Sequence, residues 1–379
     1  MGIGFGYALL AWGLGFGAVL PSLRDEVSMS SSLAAMHGAM FGISLILFSS
    51  FGTRLFQSFS NRAVLAMGFA GMTAGGVLFG LGRTVPLTLG GATVGGLGAA
   101  LFVIVVPSIV FAHQPSTATQ AMATLNAFPM LSATLLPVAI SGAAAANLSW
   151  RWAYLAPVLM IAAFMLLIAG RSPVAQAPSV EPAGLAAIFA VPLFARRWLL
   201  MVCGVLVELG TGMWAASIMR EQGHASNGIA ALLTVGFFVG MAVGRIGLSH
   251  ILRRFDMTRV MRVSFVGSLV SLVPFLLGPG LIVRAIGLTT LGLSLAAVYP
   301  VSITRLFELH HDTAALGRAA ALASGCGVTF GPLLLGSISD MVGLGWATIV
   351  LPIFVLCGLL LASATPLRRR ASVSQVSPA

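Results

Sequence analysis

The chain has 379 residues, 58% of them apolar and 8% charged. Soluble domains carry about 25% charged residues, so this chain has too little charge to cover a water-facing surface, and its apolar content excludes disorder. Its formal charge of +11 comes from 20 basic residues, every one an arginine, against 9 acids, a balance that in a polytopic protein reports topology and not nucleic-acid binding.

Apolar runs fall at 2–22, 33–53, 63–82, 86–111, 117–146 and 151–170, and again at 198–219, 226–248, 260–279, 281–306, 313–338 and 343–364. At about 20 residues per span, the sequence predicts an all-α membrane protein of twelve spans. The expected divisions are a six-helix bundle over 1–170, a linker over 171–197, a second bundle over 198–365 and a tail over 366–379. Glycine and proline inside the runs do not interrupt them, since membrane helices tolerate both. The first run lacks a basic leader and a small-residue cleavage site, so it reads as a span and not a signal peptide. The linker carries Pro173, Pro178, Pro182 and Pro192 with one acid, Glu181, and predicts a tether with a short surface helix near 183–190. Arg368, Arg369 and Arg370 in the polar tail suit an anchor on anionic lipid.

Arginine placement orients the chain. The even-to-odd connections and the tail hold Arg54, Arg62, Arg171, Arg196, Arg197, Arg253, Arg254, Arg259, Arg262, Arg305, Arg318 and the three tail arginines. Only Arg24, Arg83, Arg151, Arg220 and Arg284 fall on the other side, and Arg245 lies within a span. The positive-inside rule therefore predicts both termini in the cytoplasm. Arginine without lysine fits the codon bias of a GC-rich bacterium, hence a bacterial cytoplasmic membrane. Cys203, Cys326 and Cys357 lie in apolar runs without a CxxC pair or histidines at metal spacing, so no disulfide, metal or cofactor is expected.

The two halves repeat. Phe59, Val64, Phe69 and Gly71 recur 196 residues later as Phe255, Val260, Phe265 and Gly267. Pro137 and Pro157 recur as Pro332 and Pro352, Trp152-Ala153 as Trp346-Ala347, Gly98 as Gly292 and Pro107 as Pro300. Two similar bundles can rock about a site near the bilayer midplane and expose it to each side in turn, which points to a transporter.

With this layout the whole chain resembles the major facilitator superfamily. That family's loop between the second and third helices runs Gly-x-Leu-x-Asp-Arg-x-Gly-Arg-Arg. Here it reads Gly52 to Arg62, with Gln57 at the Asp and Ser60 at the glycine; in the second half Gly244-Arg245 leads to Arg253-Arg254-Phe255-Asp256, with Arg253 at the Asp. These departures weaken the ionic latch that the resemblance implies. Gly96-Leu97-Gly98 is present in the fourth helix, but Ala92 replaces the arginine of many proton-driven members. The Gly-x-x-x-Gly-Pro string of drug antiporters occurs only at Gly327 to Pro332, in the eleventh helix. Both absences speak against drug/proton antiport. Glu208, Gly210, Gly212 and Trp214, with Gly240, Gly244-Arg245, Gly292, Tyr299-Pro300 and Leu125-Asn126, look most like the fucose-permease-like branch. That resemblance implies a sugar carrier, commonly working with protons.

Glu208 is the most informative residue. It lies about ten residues into its span, roughly 15 Å deep, where an acid is costly and by default functional. It is the candidate proton-coupling or substrate-binding carboxylate; the competing reading is a structural acid within the second bundle. Thr211, Gly212 and Ala215 share its face and suit a cavity wall. Arg245 is expected off the level of Glu208, as a gate contact or snorkelling to the interface, with a substrate or coupling role as the second reading. Asn126 either orients a hydroxylated ligand or bonds across helices. Trp12, Trp214 and Tyr299 are candidates for stacking on a solute, with plain packing the commoner use of such rings. His37 and His113 read as packing groups. Glu308 and Asp312 are expected to pair with the arginines of 253–262 in a state-dependent cluster.

The expectation is thus a monomeric secondary transporter of a small polar solute, sugar-like in the first instance, with the proton as coupling ion and lipid as its surroundings. Efflux of amphipathic or cationic compounds, or uncoupled passage, is the alternative. No nucleophile–base pair or phosphate loop supports an enzyme.

Overall fold

The computed structural model describes residues 2–52, 58–113, 118–168, 188–191, 193–309 and 313–363. Gln57, Asp312, the tail and nearly all of the linker lie outside the described residues, and for Asn126 only the backbone is described. Among the described residues, twelve helices are long and apolar enough to cross a membrane. They are α1 Ile3–Val27, α2 Ser31–Phe51, α3 Asn61–Leu81, α4 Val85–Val106, α5 Phe128–Ala145 and α6 Trp150–Leu167, then α7 Phe194–Glu221, α8 Asn227–Arg254, α9 Met257–Leu277, α10 Gly280–Phe307, α11 Ala315–Val342 and α12 Leu344–Ser363. The helix carrying α5 begins at Ala118, so the backbone of Asn126 is helical. The first span runs further than expected: Arg24, Asp25 and Glu26 form its last turn and not a loop.

The repeat is visible in the helix starts. Ser30 caps α2 through Leu33 N and Ser226 caps α8 through Ile229 N; Ser60 caps α3 through Ala63 N and Asp256 caps α9 through Arg259 N. Each pair stands at the 196-residue offset, and each side chain satisfies a first-turn N–H that the helix leaves orphaned. Contacts repeat as well: α1 packs on α5 as α7 does on α11, α2 on α4 as α8 on α10, α3 on α4 as α9 on α10, and α3 on α6 as α9 on α12.

The halves meet where α2 lies along α11, α1 on α7 and α5 on α8. Lipid offers no hydrophobic force to press helices together, so small residues that admit close backbone contact do this work. At Gly17 of α1, a Cβ would stand 2.2 Å from the Gly212 carbonyl oxygen of α7. At Gly42 of α2 it would stand 2.3 Å from Thr329 Oγ1 and 2.6 Å from the Thr329 nitrogen of α11. Any side chain at either position would push the halves apart.

α8 is interrupted at Thr234, whose hydroxyl donates to the Ala231 carbonyl at 2.7 Å. Such back-bonding competes with the helical ladder and bends it.

Candidate functional site

Glu208 sits in the middle of α7, where the chain reads Val-Glu-Leu-Gly-Thr-Gly. Arg245 of α8 reaches it: Nη2 lies 3.2 Å from Glu208 Oε1. Arg245 does stand off the level of Glu208, yet the two pair directly, so the gate-contact or snorkelling reading of Arg245 gives way to an ion pair. Glu208 is 13 residues from the end of α7 at Glu221, and Arg245 is 18 from the start of α8 at Asn227. The five-residue difference is roughly 8 Å along the axes. Helical side chains tilt toward the helix N-terminus, and α7 and α8 run antiparallel, so the two side chains lean toward each other and the long arginine stem closes the gap.

The pair is neither sealed nor open, with side-chain exposures of 16% for Glu208 and 28% for Arg245. Arg245 Nη1 faces Met130 Sδ of α5 at 3.5 Å, which places the guanidinium on the seam between the halves. Arg245 Nε is buried without a hydrogen-bond partner among the described residues. Tyr299 of α10 faces Ser324 of α11 and lies within electrostatic reach of both Glu208 and Arg245. Tyr7 of α1, in turn, lies within reach of Tyr299. Met130 and Tyr7 are members of this constellation that sequence reasoning missed; neither carries a signal distinguishable from a core residue.

The other expected site residues separate into two groups. Thr211 is fully buried and its hydroxyl has no partner among the described residues, whereas Gly212 faces open space. Trp214 is fully buried with Nε1 donating to the Pro332 carbonyl of α11 at 3.1 Å. Trp12 is buried in the first half and donates to the Tyr154 carbonyl at 3.0 Å. Both indoles are buried and donate to a backbone carbonyl within their own half, as packing groups do. His37 is likewise satisfied, between the Leu33 carbonyl and Thr88 Oγ1.

The ends of the seam are held by polar contacts between the halves. Where α1 meets α2, Arg24 pairs with Glu221 at 3.0 Å and Asp25 with Arg220 at 2.8 Å, and Asn227 donates to Asp25 at 3.0 Å. Beside them Asp340 of α11 accepts from Ser31 N, Ser32 N and Ser32 Oγ of α2 at 2.7, 2.8 and 2.6 Å. The sequence shows these groups only as charges at helix ends; their partners lie about 200–300 positions away. At the opposite end Arg318 of α11 donates to the Ser49 and Ser50 carbonyls of α2. Gly52 closes α2 with its N–H on Phe48 O, Arg62 is exposed in the first turn of α3, and Arg253 and Arg254 are exposed in the last turn of α8, where positive charge complements the helix dipole. Gly244 packs against Ala296 and Leu293 of α10. Glu308 lies 3.5 Å from Arg197, a correction to its expected pairing with 253–262. Its position just past α10 sets it beside the start of α7, while Arg259 turns back to its own cap Asp256 at 3.9 Å.

Residues 1–302 match the family described as the Major Facilitator Superfamily. The chain is 23% identical over 344 residues to Multidrug resistance protein 1 of Bacillus subtilis (strain 168), covering 86% of this chain and 87% of that one. It is 24% identical over 344 residues to the cyanate transport protein CynX of Escherichia coli (strain K12), covering 87% and 88%. Among solved structures it resembles a D-xylose-proton symporter with a TM-score of 0.76 at 17% identity, over 96% of this chain and 95% of that one.

Proposed function

The chain belongs to the major facilitator superfamily of transporters, and from that premise we propose that it is a proton-coupled secondary transporter of a small polar solute, working by alternating access with Glu208 as the coupling acid. The carrying observation is the Glu208–Arg245 pair at the seam, 3.2 Å long and partly accessible. An intramembrane ion pair is expensive. One that sits partly exposed where two halves meet has a use: its rupture can be tied to the arrival of a proton and a solute together.

In this reading the two halves are the bundles 1–170 and 198–365, both termini face the cytoplasm of a bacterial cell, and the α1–α2 end faces outward. The contacts of Arg24, Asp25, Arg220, Glu221 and Asp340 then form the outer closure. One chain holds the whole pair, so a monomer suffices. The fucose-permease-like affiliation and a sugar-like solute belong to the same reading, supported by Glu208, Gly212 and Tyr299-Pro300. Efflux of amphipathic cations, favoured by the similarity to a multidrug resistance protein, is the weaker alternative, because the charge of Glu208 is already answered by Arg245.

The test is proton flux in proteoliposomes on adding sugars, small organic acids and lipophilic cations, with wild type and Glu208→Gln. Solute-triggered flux that vanishes in the variant while solute binding persists supports the proposal. Equal solute movement in both proteins without proton flux refutes the coupling role.

A further inference from the structure

We propose that the solute is a small monovalent anion, a carboxylate in the first instance, held by Arg245 in place of Glu208 and carried together with one proton in an electroneutral step. This rests on the transporter reading above and narrows it.

The inference starts from an unfilled guanidinium. Arginine presents five N–H donors in a planar fork suited to a carboxylate. Here Arg245 spends one on Glu208 Oε1, at 3.2 Å and not in a bidentate grip, and another faces Met130 Sδ, a weak acceptor. Its Nε is buried with no partner among the described residues. A buried donor left unmade is costly, and this one belongs to a side chain that is 28% exposed at the seam. A second carboxylate docking on Nε and Nη would satisfy what Glu208 leaves open.

Charge decides the rest. Glu208⁻ and Arg245⁺ sum to zero. An arriving monoanion would make the site negative in a low-dielectric setting, unless a proton binds Glu208 and frees the guanidinium. The titratable and charged groups around the pair are few among the described residues: Tyr299 on α10, and Tyr7 on α1 beside it. Neither supplies a compensating charge. The exchange therefore balances as one proton onto a Glu208 carboxylate oxygen, the Glu208–Arg245 contact broken, and the anion's contacts to Arg245 formed, with the site neutral before and after. A neutral sugar has no such requirement, and its movement with a proton would carry charge across the membrane.

The experiment compares acid–neutral pairs, D-gluconate against D-glucose and L-lactate against L-lactamide. Binding is measured by calorimetry on detergent-purified protein, and proton movement and current in proteoliposomes. The expected result is that a carboxylate binds and its neutral partner does not, with affinity weakening about tenfold per pH unit once Glu208 is ionised, as one linked proton requires. Proton entry should occur without current. Glu208→Gln should bind the anion at least tenfold more tightly at pH 7.5, without that pH dependence. Arg245→Gln should lose binding, Arg245→Lys should keep part of it, and the charge-free double variant Glu208→Gln/Arg245→Gln, which leaves no buried ion unpaired, should also fail to bind. Proton-coupled movement of a neutral solute with current overturns the anion inference and leaves the transporter reading intact. Carboxylate binding that survives in the folded double variant, or no binding of either carboxylate, overturns it too.

Discussion

Asp340 makes the most quantitative test of the closure at the α1–α2 end. The first-turn donors of α2 are fully accounted for: Ser30 Oγ takes the Leu33 N–H, and the Asp340 carboxylate takes those of Ser31 and Ser32, with the Ser32 hydroxyl besides. The α2 N-terminus is thus capped partly by its own residue and partly by the other half of the protein. Asp340→Ala removes the second cap only while the halves are closed at this end. A helix cap is worth about 0.5–2 kcal/mol; Asp340 is exposed, so water replaces some of the loss, and about 0.5–1 kcal/mol remains. That corresponds to roughly a 2- to 5-fold shift toward the state open at this end, because only the closed state loses contacts. Spin labels on Leu148 and Trp346, exposed at 57% and 73% on the two halves, would report it by pulsed electron-electron distance measurement as a matching growth of the long-distance population. Asp340→Asn, which keeps one acceptor oxygen, should shift less. A distance distribution unchanged by Asp340→Ala would refute the claim that this cap helps hold the seam shut.

The neighbouring ion pair should behave as a surface pair: Glu221→Arg is expected to weaken closure by at most about 1 kcal/mol, with recovery in the Arg24→Glu/Glu221→Arg double variant in the same distance assay. Gly17→Val should lower thermal stability in detergent and deplete the closed state, since its Cβ meets the Gly212 carbonyl at 2.2 Å, while Gly90→Ala, with nothing within 4 Å, should leave both unchanged. Trp214→Phe removes the indole's hydrogen bond to the Pro332 carbonyl, which keeps its own helical donor, and is expected to cost about 0.5–1.5 kcal/mol, read as a lower melting temperature with solute affinity unaltered; a selective loss of affinity would instead return the indole to the solute site.

The candidate site was legible in part. Glu208 stood out because an acid in a long apolar run has few structural excuses. Arg245 was visible too, but its partner was not: residue counting gives axial height, whereas the meeting of the two side chains depends on the antiparallel lean of α7 and α8. Trp12 and Trp214 drew notice as aromatic rings in mid-span, yet burial and a carbonyl acceptor turned both into packing groups, and no sequence signal separates those uses. Glu308 was assigned to the nearer arginine cluster because sequence shows a charge's side of the membrane and not its neighbour on that side.

Composition and periodicity by themselves determined that this chain is a twelve-span membrane protein built from a duplicated half, because the bilayer demands about 20 apolar residues per helix and a repeated unit keeps its caps at a fixed offset. Tertiary structure decided which polar groups meet. Arg245 and Glu208 are 37 positions apart, Asp25 and Arg220 are 195, and Ser31 and Asp340 are 309. Each of these contacts depends on angles and heights of helices packed side by side, which no local pattern in the chain encodes.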